Sequence, residues 1–413
     1  MAELIEIFKP EHPIKYSVEL PASKSISNRF VILEALSNKT IKVRGHSDAE
    51  DTLRLQNIIN ELPGRADAGA GGTTFRFALA YLASLDGYSG MITGTDRLKE
   101  RPVAPLVDAL RSLGADIQYA EKPGFPPLKV KGKKLTGGSV SLSGEISSQF
   151  LSSIILIAPT MESGLEIDTG GKITSRPYLD MTLALVNQSG FSASEKDGII
   201  RVQPGKWNSG LYVVEKDWSS ASYWYSIALL ANHSDIFLPG LSLDSLQGDS
   251  KTAYLFDQLG VETKSEVNGI RLKPTGKSCS YFEFDFTDQP DLAQTIAVSV
   301  AGMGISAKLS GLKSLRRKET DRISALRNEL IKFGVKTEEP EEGCLTIDPA
   351  GVEFRKEIIV DTYEDHRMAM AFAPMCLKVY KLAIRNPDVV NKSYPSYWSE
   401  LRKAGFGLHA QTH

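Results

Sequence analysis

Residues 106–120 read LVDALRSLGADIQYA, and the fold class follows from how they are divided. Apolar residues recur at helical spacing up to Leu113, Gly114 comes next, and a strand-like stretch follows. Glycine just past the last periodic residue supplies the left-handed cap that ends a helix. The same design returns in MTLALVNQSGFSASE (181–195), TAYLFDQLGVETKSE (252–266), ALRNELIKFGVKTEE (325–339) and YWSELRKAGFGLHAQ (397–411). The stops at Gly114, Gly190, Gly260, Gly334 and Gly405 lie about 70 to 76 residues apart, with a less regular sixth at Gly64 in TLRLQNIINELPG. A solenoid repeat runs about 20–50 residues, so each of six copies is expected to be a small α/β subdomain with several strands. At 413 residues the chain exceeds what one core usually supports, which predicts two domains of three copies each.

Composition sets the class of ligand. The chain is 42% hydrophobic and 24% charged, an ordinary globular balance. A net charge of -2 and a pI near 6.4 provide no global basic field. Any anion site must therefore be a local gathering of Lys and Arg, and nucleic acid is not indicated. Cys279, Cys344 and Cys376 are an odd count without metal-ligand spacing, which suits a reducing interior and predicts a cytoplasmic address. The start, MAELIEIFKPEHP, lacks the features of a signal peptide, and no run approaches the roughly 18 apolar residues of a membrane span. The six histidines show no metal spacing.

Polar groups collect where helices begin. LPASKSISNRF (20–30) leads into a helix expected from about Ile26 to Leu36, with Ser23, Lys24 and Ser25 at its N-terminus. Unpaired backbone N–H groups and the positive end of the helix dipole favour an anion there. Taken alone, Ser23 or Ser25 reads more readily as a simple cap and Lys24 as a solvated base, so the other segments decide. GAGGTTFRFALAYLA (69–83) repeats the pattern with Gly69, Gly71 and Gly72 ahead of Thr73 and Arg76, although it is not a Walker A loop. Ser147, Ser148 and Gln149 precede another apolar helix, as do Ser175, Arg176 and Tyr178, and Ser219 and Ser220. Fixed charges join in the second half. Arg316, Arg317, Lys318, Glu319, Asp321 and Arg322 stand at one helix start, and Asp365, His366 and Arg367 at another. Asp291 and Glu319 are carboxylates among cations, open to a reading as proton carriers or as caps.

In this order, LPASKSISNR, GTDRLKERPVAPLVDAL, ISSQFLSS, SSASY, RRKETDRISAL, YEDHRMAMAF and NKSYPSYW resemble the 3-phosphoshikimate 1-carboxyvinyltransferase family over nearly the whole chain. The resemblance implies an α/β fold of two similar domains, each of three βαβαββ units in an inside-out α/β barrel, with the active site in the interdomain cleft. It implies an N-terminal lobe at 21–215, mainly for shikimate 3-phosphate, and a second lobe from 1–20 and 216–413 that completes the phosphoenolpyruvate site. The implied reaction moves the enolpyruvyl group of phosphoenolpyruvate to the 5-hydroxyl of shikimate 3-phosphate, without metal or organic cofactor, in a monomer. By position, Lys24, Arg101 and Lys392 match the cluster for the phosphate of phosphoenolpyruvate, and Arg322 and Arg367 the clamp on its carboxylate. An arginine fork suits a carboxylate because it donates two parallel bonds. Ser147, Ser148 and Ser175, with Lys318 nearby, match the cradle for the shikimate phosphate, and Ser25, Arg29 and Tyr178 the group that holds its carboxylate. Gln149 would pack on the ring, and Gly72 and Thr73, with Arg76 as a further candidate, would line the phosphoenolpyruvate pocket. Asp291 is implied as the base on the 5-hydroxyl, with Glu319 and Lys24 as candidates for delivering the proton to carbon.

Three departures stand out. The family's pocket loop commonly reads G-N-A-G-T-x-x-R-P, whereas this chain has Ala70 in place of asparagine and Phe77 in place of proline. Ser314 stands where asparagine often contacts substrate hydroxyls, and NELPGRADAGAGG (60–72) is short, so the first repeat is expected to lack a strand or a loop. Two rival readings are a UDP-N-acetylglucosamine enolpyruvyltransferase and an RNA 3'-phosphate cyclase-like protein. Against the first, no cysteine occurs before Cys279; against the second, the bases are scattered over separate helix starts instead of forming a stripe.

Overall fold

The structure, a computed structural model, describes residues 3–145, 147–231, 233–350 and 357–411. The chain forms two compact units, one of Ala22–Val214 and one of Met1–Pro21 with Glu215–His413.

In the first unit, seven helices alternate with short strands: α1 (Lys24–Leu36), α2 (Glu50–Glu61), α3 (Gly72–Ser84), α4 (Asp96–Lys99), α5 (Ala104–Ser112), α6 (Ser148–Ile157) and α7 (Arg176–Gln188). The strands Arg65–Asp67, Ser89–Thr93, Asp116–Tyr119 and Leu128–Lys131 follow the sequence of a βαβαββ unit. They are ordered first, second, fourth, third; the first pair is parallel and the others antiparallel. Gly138–Ser141, Leu165–Asp168, Ser192–Lys196 and Ile199–Gln203 repeat that order and sense. The third sheet is smaller. Gly210–Val213 pairs in parallel with Ile41–Arg44, and among the described residues no further strand joins them. After α2 the chain runs straight into Arg65–Asp67, so the hairpin that completes every other sheet is missing, as the shortness of residues 60–72 leads one to expect.

The second unit holds α8 (Trp218–Leu230), α9 (Thr252–Leu259), α10 (Ala293–Met303), α11 (Arg322–Leu330), α12 (His366–Phe372) and α13 (Tyr397–Lys403). Its three sheets are all four-stranded and share the same order. In one of them Leu4–Phe8 takes the fourth place, between Lys381–Arg385 and Gly407–Gln411, so a strand near the start of the sequence is hydrogen-bonded into the sheet from its end. The six-copy reading of the sequence thus corresponds to six sheets, three in each unit, one of them reduced to two strands.

Helices lie inside and sheets outside. Every residue of α12 is buried, as are all of α8 but Ser219 and all of α10 but Met303. Such helices are apolar nearly all round because they have no solvent face. Trp218, Tyr223, Trp224 and Tyr225 of α8 are almost wholly inaccessible, and full burial of side chains of this kind stabilises by about 1.5–3 kcal/mol each. Hydroxyls satisfy one another along the α8–α10 seam, Ser222 with Thr295 at 3.1 Å and Ser299 with Ser226 at 2.8 Å. Gly114, Gly190, Gly260, Gly334 and Gly405 all adopt positive φ, which glycine accepts without a Cβ clash. Gly64 does not: α2 ends two residues earlier with Leu62 at φ 47, because Pro63 blocks continuation of the helix. No helix among the described residues is long and apolar enough to cross a membrane.

Candidate active site

Ser23 caps α1, with its hydroxyl accepting from the Ile26 N–H at 3.5 Å, so the helix begins at Lys24, two residues before the expected start. Lys24 Nζ pairs with Asp51 Oδ2 at 2.9 Å, and both side chains are largely shielded from solvent. Asp51 sits in the first turn of α2, and its main-chain carbonyl accepts from Thr74 Oγ1 at 2.8 Å, which ties α2 to α3. Gln149 at the start of α6 donates to Thr73 Oγ1 at 3.0 Å. Ser147 caps α6 by accepting from the Gln149 N–H, with Ser148 next to it. At Gly72 there is room only for hydrogen: a Cβ there would lie 2.5 Å from Arg101 Nη1, which places the Arg101 guanidinium against the first residue of α3. Lys24, Gly72, Thr73, Arg101 and Gln149 are thereby linked by the starts of α1, α2, α3 and α6. Arg76, one turn into α3, donates to the Gly72 carbonyl at 2.8 Å.

Arg29 belongs to a second group. It is buried, and donates to the Ser25 carbonyl, Thr182 Oγ1, Ser152 Oγ and the Tyr178 carbonyl, all at 2.7–3.2 Å. Four of its five N–H donors are thus used, three of them joining α1 to α6 and α7 and one within α1. Burial pulls its pKa down to about 10, so it remains charged at neutral pH. Phe77 lies under its guanidinium at 5.5 Å, giving the departure from proline a packing role. Ser175 precedes α7 with φ 54, a left-handed conformation unusual for a residue with a Cβ, and its carbonyl accepts from the Tyr178 N–H.

In the second unit the carboxylate of Asp291 bridges two arginines. Its Oδ1 lies 3.0 Å from Arg322 Nη1 and its Oδ2 lies 2.8 Å from Arg367 Nη2, with Lys318 Nζ at 3.7 Å from Oδ1. Arg322 also donates from Nε to Asp365 Oδ2 at 2.7 Å and from Nη2 to Glu319 Oε2 at 2.8 Å. Arg367 Nη1 reaches the Tyr223 hydroxyl at 3.4 Å and the Asp291 carbonyl at 3.3 Å. Burial would weaken the charge on Arg322, but Asp365, Glu319 and Asp291 reverse that and hold its pKa above the ordinary value. Burial also pushes the Tyr223 hydroxyl up to about 12, which keeps it a neutral partner.

Local backbone aims these groups. Tyr363 and Glu364 have φ of 52 and 56, two left-handed residues in succession directly before Asp365, the cap of α12. The turn is anchored by the Tyr363 hydroxyl donating to buried Glu329 at 2.7 Å. Lys392 Nζ donates to the Glu364 carbonyl at 2.7 Å, connecting it to the same turn. Ser314 is exposed in the short 3-10 segment Lys313–Arg317 and has no hydrogen bond to this cluster among the described contacts. Two carboxylates escaped the sequence reading. Asp51 is one of two adjacent acids in the first turn of α2, and Asp249 lies in QGDSK, which has no helical pattern. Asp249 is buried, accepts from the Ser219 hydroxyl, and has an Oδ1 with no hydrogen-bond partner. Burial first, and the nearby charge of Asp291 second, push its pKa up to about 7.

The chain matches the family model described as EPSP synthase (3-phosphoshikimate 1-carboxyvinyltransferase) over residues 8–68 and 63–401. It is 46% identical over 396 residues to the 3-phosphoshikimate 1-carboxyvinyltransferase of Bacteroides fragilis, covering 96% of both chains. It is 32% identical over 426 residues to the enzyme of the same name from Mannheimia haemolytica, covering 95% of this chain and 98% of that one. Among solved structures, EPSP synthase from Acinetobacter baumannii superposes with a TM-score of 0.76 at 20% identity, over 98% of this chain and 99% of that one. The enolpyruvyl transferase NikO from Streptomyces tendae reaches the same TM-score at 14% identity over the full length of both. The structural likenesses establish the shared two-domain α/β architecture and leave the choice of chemistry to the sequence matches, which favour neither rival reading. With a family model spanning most of its length and full-length relatives well above 30% identity, the chain belongs to the EPSP synthase (3-phosphoshikimate 1-carboxyvinyltransferase) family.

Proposed function

We propose that the two gathered sets of side chains divide the substrates and proton transfers of the family's reaction between them. That reaction, which family membership assigns to this protein, transfers the enolpyruvyl group of phosphoenolpyruvate to the 5-hydroxyl of shikimate 3-phosphate and releases phosphate. The two substrates carry two phosphates and two carboxylates, each phosphate contributing about -1.5 to -2, so binding them requires concentrated positive charge.

The observation that carries the residue assignment is the pair Arg322 and Arg367 converging on the two oxygens of one carboxylate. In the assignment, this pair holds the carboxylate of phosphoenolpyruvate, while Lys24, Arg101 and Lys392 take its phosphate and Gly72, Thr73 and Gln149 line its pocket. Ser147, Ser148, Ser175 and Lys318 hold the phosphate of shikimate 3-phosphate. Ser25, Tyr178 and the one remaining donor of Arg29 hold its carboxylate, Gln149 packs on its ring, and Ser314 faces its hydroxyls. In the first step Asp291 takes the proton of the 5-hydroxyl as that oxygen bonds to C2, and Glu319 or Lys24 gives a proton to C3. In the second, the C2–O bond to phosphate breaks and C3 returns a proton, restoring the double bond. None of these steps calls on a cofactor. The 22–214 unit serves mainly shikimate 3-phosphate and the other completes the phosphoenolpyruvate site. We place the protein in the cytoplasm, as a monomer.

Steady-state rates of phosphate release test the assignment. Arg367→Gln is expected to raise KM for phosphoenolpyruvate by about 10-fold or more, since a charged hydrogen bond contributes about 1.5–3 kcal/mol, with little change in KM for shikimate 3-phosphate. Asp291→Asn is expected to lose most of kcat. An unchanged KM in the first variant, or near-normal turnover in the second, removes that residue from its role.

A further inference from the structure

The clamp proposed for a substrate carboxylate already holds a carboxylate from the chain itself. Asp291 spans Arg322 and Arg367 with one oxygen on each, as a bound carboxylic acid would. Neither arginine depends on it to stay in place. Arg322 is anchored on the other side by Asp365, which is fully buried, and by Glu319. Arg367 keeps the Tyr223 hydroxyl and the Asp291 carbonyl, and its own N–H donates to Asp365 Oδ1 at 2.8 Å. The contacts that frame the clamp are therefore separable from those that fill it. The Asp365 side chain is sealed at 0% accessible, whereas those of Asp291 and Glu319 are 17% and 16% accessible, so Asp365 is the fixed part of the frame.

We propose that Asp291 is an exchangeable internal occupant of the two-arginine clamp, and that the carboxylate of phosphoenolpyruvate binds by replacing it. The proposal rests on the reading of Arg322 and Arg367 given above. Exchange swaps two carboxylate–guanidinium bonds for two of the same kind, so it needs no rebuilding of the frame. Asp291 leaves two guanidinium partners and remains within reach of Lys318, 3.7 Å from Oδ1. A carboxylate relieved of two adjacent cations accepts a proton more readily. Arrival of the enolpyruvyl donor then frees the base that its acceptor hydroxyl requires, and an internal competitor scales the apparent affinity for the donor by the fraction of time the clamp is free, so a tenfold effect corresponds to a clamp filled about nine-tenths of the time.

The test measures equilibrium binding of phospholactate, a saturated analogue of phosphoenolpyruvate that cannot undergo addition, at saturating shikimate 3-phosphate. Wild type is compared with Asp291→Asn, Asp291→Ala, Glu319→Gln and Arg367→Gln, each checked for folding by its melting transition. Glu319→Gln removes the same charge beside Arg322 without emptying the clamp. Removing the internal carboxylate, outright in Asp291→Ala and in charge alone in Asp291→Asn, is expected to tighten phospholactate by about 10-fold in the first and by less in the second, whereas Glu319→Gln, which keeps an acceptor oxygen for Arg322, changes it by at most about threefold. If Arg367→Gln weakens binding while the Asp291 variants tighten it no more than Glu319→Gln does, the internal-occupant proposal is overturned and the clamp reading stands. If Arg367→Gln leaves binding unchanged, the clamp reading itself fails and takes the proposal with it.

Discussion

Asp249 is a carboxyl group enclosed on all sides, with one oxygen satisfied by Ser219 and the other by nothing. Burial, helped by Asp291 and Asp217 and opposed by Arg367 and the Ser219 hydroxyl, raises its pKa from 3.8 to about 7. The sign of the consequence follows from proton counting. Between those two values the folded protein keeps a proton that the unfolded chain has released, so stability falls as pH rises through that window. Asp249→Asn keeps the shape and removes the titration. Its melting temperature should exceed that of wild type by a margin that widens from pH 5 to pH 7 and then levels off, at about 2–4 °C for each kcal/mol. Parallel melting curves for the two proteins across that range would show that Asp249 titrates normally. Nothing in QGDSK announces this environment, because it is produced by Ser219 and Asp291, 30 and 42 positions away in sequence. Asp51 was hidden in the same way. By contrast Arg322 and Arg367 were legible, since each stands where a charge run meets a helix start, and that juxtaposition is local in sequence.

At the level of elements, helix ends show what a sequence can and cannot disclose. Five glycine stops were readable because a left-handed cap is a demand on one residue, and glycine meets it without strain. The end of α2 was misplaced because the left-handed residue there is Leu62, with Pro63 behind it. A leucine in this conformation is strained by about 1–2 kcal/mol, and Leu62 is too exposed to recover much of that through packing. Leu62→Gly is therefore expected to raise the stability of the 22–214 unit by about 0.5–1 kcal/mol, seen as a higher denaturant midpoint with the slope unchanged. A lower midpoint would mean that the leucine side chain contributes more by packing than its backbone costs. The turn at Tyr363 and Glu364 has the same left-handed character, but it aims Asp365 and carries the carbonyl that accepts from Lys392. Relieving strain there is expected to damage the site, a distinction invisible in TYEDHR without the folded positions of Glu329 and Lys392.

Across the whole molecule, among the described residues, five of six sheets have four strands in one order, and the sixth consists of Ile41–Arg44 and Gly210–Val213. The number of repeats was legible from the spacing of the glycines; which repeat was incomplete showed only as a shortage of residues between Glu61 and Arg65. A two-stranded sheet is marginal by itself, and the edge of Ile41–Arg44 that the other sheets cover with their fourth strand is met here only by side chains near the end of α1, with the Ile41 N–H donating to Ser37 Oγ and the Val43 N–H to Glu34 Oε1, both at 3.2 Å. Packing adds to these bonds through buried Ile41 on the core side and Tyr212 packed on Phe30 of α1 with ring centroids 5.2 Å apart. Lys42 and Arg44 project to solvent along the edge, which discourages pairing with another chain. The pair should therefore open locally at a lower free energy than the sheets around it. Native-state hydrogen exchange is expected to show amides of 41–44 and 210–213 exchanging at least about tenfold faster than those of Ser89–Thr93, because 1.4 kcal/mol less opening energy gives that factor in the EX2 regime. The Ser89–Thr93 strand is flanked on both sides, by Arg65–Asp67 and Leu128–Lys131, and provides the internal reference. Equal protection in both places would mean that the Ser37 and Glu34 bonds, with the packing of Ile41 and Tyr212, fully replace the missing hairpin, and that the incomplete repeat is no weaker than its neighbours.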